Sequence, residues 1–439
     1  MTRPASLKTF HITTFGCQMN LSDSSLLASS LLSRGYRRVK SEAEADLLIF
    51  NTCSVRIKAE ERAIGRLNEV QRLKRIKPEM KVAVVGCMAQ RMGEELTEKL
   101  PHVDYVLGVD RVFELPDLLD DQEATHQVHT AFGHENIESL TPVTETPYTG
   151  FVTISRGCDN FCTYCIVPHV RGREHSLSPD FVVEGVHSLV EQGAQEVTLL
   201  GQNVNSYEFE EVSFPGLLKR VLDETTVPRL RFMTSHPKDL SHDLVDVMAG
   251  NSRIMPHIHL PLQSGNNRIL RKMGRKYTVE HYLSTIDYIR EKMEYVSITT
   301  DLIVGFPSET EAEYEETLRA VEKVQYDAAF MFRYSVRPGT TAAKMDDDVP
   351  EDDKIRRLSH LIELQKGIGY ERNQREIDRV HATLVEGTSR RSDRIWRGRT
   401  PGDKTVLFEG ENIRPGQIVP IRIKEADAFT LHGEIAGAE

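Results

Sequence analysis

A chain of 439 residues calls for two or three domains rather than one core. With 39% hydrophobic and 28% charged residues it has an ordinary globular composition, and no apolar run reaches the ~20 residues that a membrane helix needs. A formal net charge of -11 excludes a broadly basic RNA-coating protein, so any RNA contact must come from a local basic patch.

Residues 1–10 are too polar for a signal peptide. A cytoplasmic protein without membrane partners is therefore expected, and a monomer. In that compartment thiols stay reduced, so cysteines at motif spacing read as metal ligands before disulfides.

The N-terminal part alternates strand and helix. Residues 8–16 read as a strand, followed by an amphipathic stretch with Leu26, Leu27, Leu31 and Leu32. An apolar strand over 46–52 precedes a charged helix over 58–74, and 82–86 is the uniform apolar run of a buried parallel strand. Cys17, Cys53 and Cys87 each follow one of these strands. Ligands of an open α/β sheet bind at the strand carboxyl ends, so this topology can gather three thiols across long gaps. Three buried structural thiols would give the same spacing.

From 120 to 149 the pattern lapses into a polar stretch with His126, His129 and His134, which reads as a solvated linker rather than a histidine metal site. A second alternating series follows, with strands expected at 151–155, 196–200, 230–234, 257–262, 297–304 and 328–334. Helices are expected at 181–192, 217–224, 279–292 and 311–324, and a closing helix at 352–375. Six strand–helix units are too few for a closed eight-stranded barrel, so a partial, open-sided one is expected. In the tail, runs at 380–385, 405–408 and 418–424 separated by Gly, Pro and Asn predict a small antiparallel β-barrel. There Arg390, Arg391, Arg394, Arg397 and Arg399 surround Trp396, the only tryptophan. Arginine beside an aromatic suits phosphate contact and base stacking, and a solvated charged hairpin is the plainer alternative.

Cys158, Cys162 and Cys165 form a Cys-x-x-x-Cys-x-x-Cys run where the first barrel strand ends. Three thiolates so close can wrap one cluster from a loop, leaving one iron of a four-iron cluster open. A zinc site completed by His169 is the other reading.

The run, with Tyr164 just before its last cysteine, resembles the radical S-adenosylmethionine (SAM) superfamily. Phe15-Gly16-Cys17-Gln18-Met19-Asn20, Asn51-Thr52-Cys53-Ser54-Val55-Arg56 and Gly86-Cys87-Met88-Ala89-Gln90 narrow the resemblance to the radical SAM methylthiotransferases. Ser155 to Cys165, Arg171-Gly172-Arg173 and His259 to Gly265 resemble the same family, and the tail is similar to its RNA-binding TRAM domain. The resemblance implies an α/β chain of three domains and a linker: an open-sheet domain over 1–120, a linker over 121–149, a partial (β/α)6 radical SAM barrel over 150–375 and a TRAM-like barrel over 376–439. It implies two four-iron clusters, one on Cys158, Cys162 and Cys165 and an auxiliary one on Cys17, Cys53 and Cys87. It also implies SAM in two uses, as methyl donor and as source of a 5′-deoxyadenosyl radical. Tyr164, Gln202, Asn203, Ser235, Gln263, Ser264, Asp301 and Ile303 stand where SAM contacts are expected, although the glutamate usual near Gln202 is absent.

The segments 51–61 and 156–173 are most similar to members that methylthiolate carbon 2 of isopentenyladenosine beside the tRNA anticodon. Sister enzymes act on threonylcarbamoyl-adenosine in tRNA or on a ribosomal-protein aspartate. tRNA and an electron donor such as flavodoxin or ferredoxin are the partners this implies. An RNA-binding iron–sulfur sensor and a cluster or sulfur carrier are readings of another class, separated by whether SAM is turned over.

Overall fold

The computed structural model describes residues 8–54, 57–120, 126–133, 137–144, 146–389 and 392–437. By Cα packing it divides into two compact units, one of residues 1–145, 150–159 and 165–192, the other of 146–149, 160–164 and 193–439.

The first unit is built on a six-stranded sheet of β1 (Thr9–Thr14), β2 (Arg37–Arg38), β3 (Leu47–Thr52), β4 (Lys81–Gly86), β5 (Tyr105–Leu107) and β6 (Gln127–His129), in the order β2-β1-β3-β4-β5-β6. Every neighbouring pair is parallel. A parallel sheet is covered on both faces, which is why β3 and β4 are almost wholly apolar and buried. One face packs Leu48, Phe50, Val82 and Val84 against Ala63 and Leu67 of the helix Ile57–Ile76. The other packs Ile49, Ala83 and Val85 against Leu27 and Leu31 of the helix Gln18–Ser33.

The sheet runs into the stretch that the sequence marks as linker, since β6 adds to β5 through three residues too few to show a period. The histidines there are used separately. The His126 ring meets the Val103 carbonyl at 3.1 Å, the His129 ring meets Glu114 at 2.9 Å, and His134 lies outside the described residues.

Strand β7 (Thr149–Thr153) leads to the cysteine run, and β8 (Glu196–Leu200), β9 (Arg229–Met233), β10 (His257–His259), β11 (Ser297–Val304) and β12 (Ala328–Arg333) continue the series at the expected places. In the second unit β8 pairs β9 and β11 lies between β10 and β12, all parallel. The fourth strand is shorter than expected. Pro261 has no N–H for a ladder, and the chain rejoins the sheet only where Gln263 bridges to Leu302.

The tail closes into a five-stranded barrel of β13 (Val380–Ser389), β14 (Ser392–Arg399), β15 (Thr405–Glu409), β16 (Ile418–Ala426) and β17 (Thr430–Ile435), in the order β13-β14-β15-β17-β16. It is not wholly antiparallel, because β15 and β17 run parallel. An odd number of strands closed in a ring cannot alternate direction all round. The arginine-rich segment is itself strand β14, which the alternation in the sequence does not show.

Candidate active site

Cys53 and Cys87 directly follow β3 and β4, and Cys17 follows β1 after Phe15 and Gly16. Strand order reverses between β1 and β3, since β2 lies on the far side of β1, and this is where an open parallel sheet leaves a crevice. The turn into Cys87 needs a glycine, because a Cβ on Gly86, at φ +91°, would stand 2.6 Å from Asn51 Oδ1. Cys17 caps the helix Gln18–Ser33, where backbone N–H groups of Met19 and Asn20 favour its thiolate, and Cys87 opens the short helix Cys87–Met92. A hydrogen bond with Cys53 brings the Cys17 thiol down to about 5, with help from the Arg171 charge. Burial pushes the Cys87 thiol up, and Arg171 opposes it. None of the six cysteines is in a disulfide.

Buried polar residues hold the crevice in place. Asn20 Nδ2 donates to Asn51 Oδ1 at 2.8 Å and to the Thr52 carbonyl, while its Oδ1 accepts from the Cys17 N–H and thiol. Asn51 returns a bond to the Asn20 carbonyl and one to Ser24. Asp23, fully buried, receives Arg156 Nη1 and Arg171 Nη2, each at 3.0 Å. Burial works against the Arg171 charge, but Cys87, Asp23 and Cys17 together hold its guanidinium above the usual range. Arg171 Nη1 has no hydrogen-bond partner. The motifs contain Asn20, Asn51, Arg156 and Arg171, but nothing in their spacing gives these roles, and Asp23 lies outside the quoted motifs.

The cysteine run starts from a turn that requires glycine: a Cβ on Gly157, at φ +77°, would stand 2.0 Å from the Arg173 carbonyl oxygen, and the Cys158 N–H donates to the Gly172 carbonyl. Residues 160–164 pack in the second unit, where the Thr163 N–H donates to the Met273 carbonyl and its carbonyl accepts from Ala342. There Arg275 Nη1 lies 3.4 Å from the Cys162 sulfur, while its Nη2 donates to the Pro261 carbonyl and its Nε to Tyr277. Burial opposes the Arg275 charge, yet Tyr277, Tyr164 and Cys162 keep it well above its usual range. Among the described residues no three His, Cys, Asp or Glu side chains are gathered to hold a single metal ion. Three cysteines in one short run are a donor set that suits an iron–sulfur cluster.

The carboxyl ends of the second unit's strands carry buried oxygens without partners: Gln202 Oε1 and Asn203 Oδ1 after β8, Ser235 Oγ after β9 and Gln263 Oε1 after β10. Such atoms are uncommon in folded proteins and ask for donors from elsewhere. SAM carries an ammonium, two ribose hydroxyls and an adenine amine, so the four fit it. Asp301, in the interior of β11, lies 3.5 Å from His259 Nε2 at the end of β10. Tyr164 and Ile303 pack in one apolar cluster with Met273, Phe306 and Tyr334. Ser264 is engaged internally: its hydroxyl pairs with Thr317 and accepts from the Asn266 N–H.

Of the residues expected to meet RNA, Arg390 and Arg391 lie outside the described residues. Arg397 and Arg399 both place Nε on Glu386, at 3.0 and 2.9 Å. Trp396 donates its indole N–H to the Gly410 carbonyl and packs on the barrel core. Arg394 is exposed, and its backbone N–H donates to the Ser392 hydroxyl.

Comparisons with known proteins agree along the chain. Residues 9–108 match the family described as Uncharacterized protein family UPF0004, residues 152–321 the Radical SAM superfamily and residues 375–436 the TRAM domain. The chain is 43% identical over 436 residues to a tRNA-2-methylthio-N(6)-dimethylallyladenosine synthase of Moorella thermoacetica, covering 98% of each chain. It is 45% identical to the Parabacteroides distasonis protein of that name, covering 96% of this chain and 94% of the other. Among solved structures, the radical S-adenosylmethionine methyltransferase TsrM from Kitasatospora setae, with cobalamin and a [4Fe-4S] cluster bound, has a TM-score of 0.56 at 14% identity, covering 77% of each chain. The cobalamin-dependent radical enzyme OxsB has a TM-score of 0.55 at 12% identity, covering 80% of this chain and 56% of the other. At such identities these two speak for the fold alone.

Proposed function

The chain belongs to the family of tRNA-2-methylthio-N(6)-dimethylallyladenosine synthases, and from that premise we propose that it methylthiolates carbon 2 of dimethylallyl-adenosine (isopentenyladenosine) in tRNA. The observation that supports this reading most is one chain with two sets of three thiols, one at a sheet's switch point and one in a loop after a barrel strand. When bound, two four-iron clusters and SAM supply the hydrogen-abstracting radical, the sulfur and the methyl group, which no side-chain acid or base can.

The protein's residues bind, orient and shield. Cys158, Cys162 and Cys165 would hold one cluster with an iron left open for SAM, and Arg275 balances the thiolate charge at Cys162. Gln202, Asn203, Ser235 and Gln263 would accept the hydrogen bonds that SAM donates. Cys17, Cys53 and Cys87 would hold the auxiliary cluster, with Arg171 carrying the compensating charge. The tail barrel would hold the tRNA through exposed arginines such as Arg394, and a single-stranded loop base can be splayed out without unpairing a duplex. The three-domain division, a monomeric state, a cytoplasmic location and an electron donor such as flavodoxin or ferredoxin complete the proposal. Among the described residues no helix is long and apolar enough to cross a membrane.

The test is mass spectrometry of tRNA nucleosides after an anaerobic reaction of the reconstituted protein with SAM, a reductant and tRNA carrying dimethylallyl-adenosine. A 2-methylthio nucleoside is the expected product. 5′-Deoxyadenosine without it would move the substrate to a sister class.

A further inference from the structure

Strand β12 is the third of a parallel sheet, where both faces are ordinarily covered, yet its Phe330 and Phe332 rings are 51% and 42% exposed. Being two apart, they stand on one face. Register sets Phe330 opposite Asp301 and Phe332 opposite Ile303 on β11. On β11 that face, Thr299, Asp301 and Ile303, is half-buried, while the alternate residues Ile298, Thr300, Leu302 and Val304 are buried. The uncovered rings therefore lie on the open side of the sheet. Phe330 meets the His259 ring edge-on at 6.0 Å, and the same His259 faces the Asp301 carboxylate. Gln263, with its unpartnered oxygen, bridges to Leu302 beside Ile303, so the aromatic pair adjoins the edge that would take SAM.

Two exposed aromatics on an inner sheet face are a binding surface, since contiguous apolar exposure is unusual on a finished fold. We propose that Phe330 and Phe332 seat the splayed-out adenine with its N6-dimethylallyl group, and so set the preference for that base over plain adenosine in tRNA. Aromatic faces stack a base irrespective of sequence, and an uncharged five-carbon branch gains by leaving water against them. This proposal rests on the function proposed above.

The test compares the affinity of the anaerobic reconstituted protein, with SAM, for one tRNA bearing either dimethylallyl-adenosine or plain adenosine. The readout is the ratio of the two affinities, since a damaged fold or a weakened RNA grip lowers both alike. The wild type is expected to favour the modified tRNA by about tenfold or more, and the double variant Phe330→Ala/Phe332→Ala to bring the ratio close to one. Phe332→Leu, which keeps an apolar side chain, is expected to fall between. An undiminished ratio in these variants, or no preference in a wild type that does form the methylthio product, would overturn the seat and leave the function standing. A wild type that forms no such product on the modified tRNA would overturn both.

Discussion

Asp23 is the one acidic partner, among the described residues, of two buried arginines, Arg156 just before the cysteine run and Arg171 just after it. Removing one member of a buried ionic triad leaves charges without compensation, so Asp23→Ala should cost about 3–5 kcal/mol of stability, measured by denaturant unfolding. A cost below about 1 kcal/mol would mean that the arginines find other partners. His236 gives a prediction in pH. Burial, then Arg275, Lys238 and Lys276, push its imidazole far below the usual 6.5, so it is neutral in the folded protein, and burial likewise brings His257 down to about 4. Below about 6.5 the unfolded chain binds protons that the native chain refuses, so stability should fall as pH drops from there towards 4. A His236→Gln variant should lose part of that slope, and an unchanged slope would assign it to other groups. Cys158, Cys162 and Cys165 stood out in the sequence by their spacing, whereas Cys17, Cys53 and Cys87 stood out through the family resemblance, since their spacing alone also suits structural thiols. Asp23 and Arg275 did not stand out, because a charge partner more than a hundred residues away leaves no local pattern.

At the scale of elements, the tail barrel is riveted to the strands before it. Glu196 on β8 takes Arg229 Nε at 2.9 Å and Arg231 Nε at 2.8 Å, and the same guanidinium groups donate to the carbonyls of Ala382, Arg399, Thr400 and Pro401. Asp327 adds a second rivet through Arg372 and Lys404. Glu196→Ala should leave two buried guanidinium groups uncompensated and loosen the seam. Amide exchange should then quicken in β13 and β14 ahead of β11. Uniform acceleration across all three strands would indicate global destabilisation instead. Strands β3, β4 and β11 were readable in advance because long apolar or alternating runs state their own period. Strand β6, at three residues, is too short for a period, and β14 is masked by its charges, since its outward positions are arginines that read as loop.

Across the whole molecule the net charge is -11, so tRNA must be met by local fields. Arg397 and Arg399 are already offset by Glu386, which leaves Arg394 as the stronger contact among the described residues of β14. Replacing Arg390, Arg391 and Arg394 by Ala should weaken tRNA binding and flatten its salt dependence by about one unit of slope for each lost phosphate contact. An unchanged slope would move the RNA contact elsewhere. The order of domains was legible because each carries its own motif and period, whereas which loop meets which base depends on long-range placement that no local run records. On the proposed reading the two sets of thiols divide the labour. Iron content, 5′-deoxyadenosine and methylthio nucleoside, measured together in two triple variants, separate their roles. With Cys17, Cys53 and Cys87 replaced by Ala, the protein should keep about half its iron and still cleave SAM, but form no methylthio product. With Cys158, Cys162 and Cys165 replaced, it should again keep about half its iron but form neither product. Methylthio product from the first variant, or SAM cleavage by the second, would rule out that division.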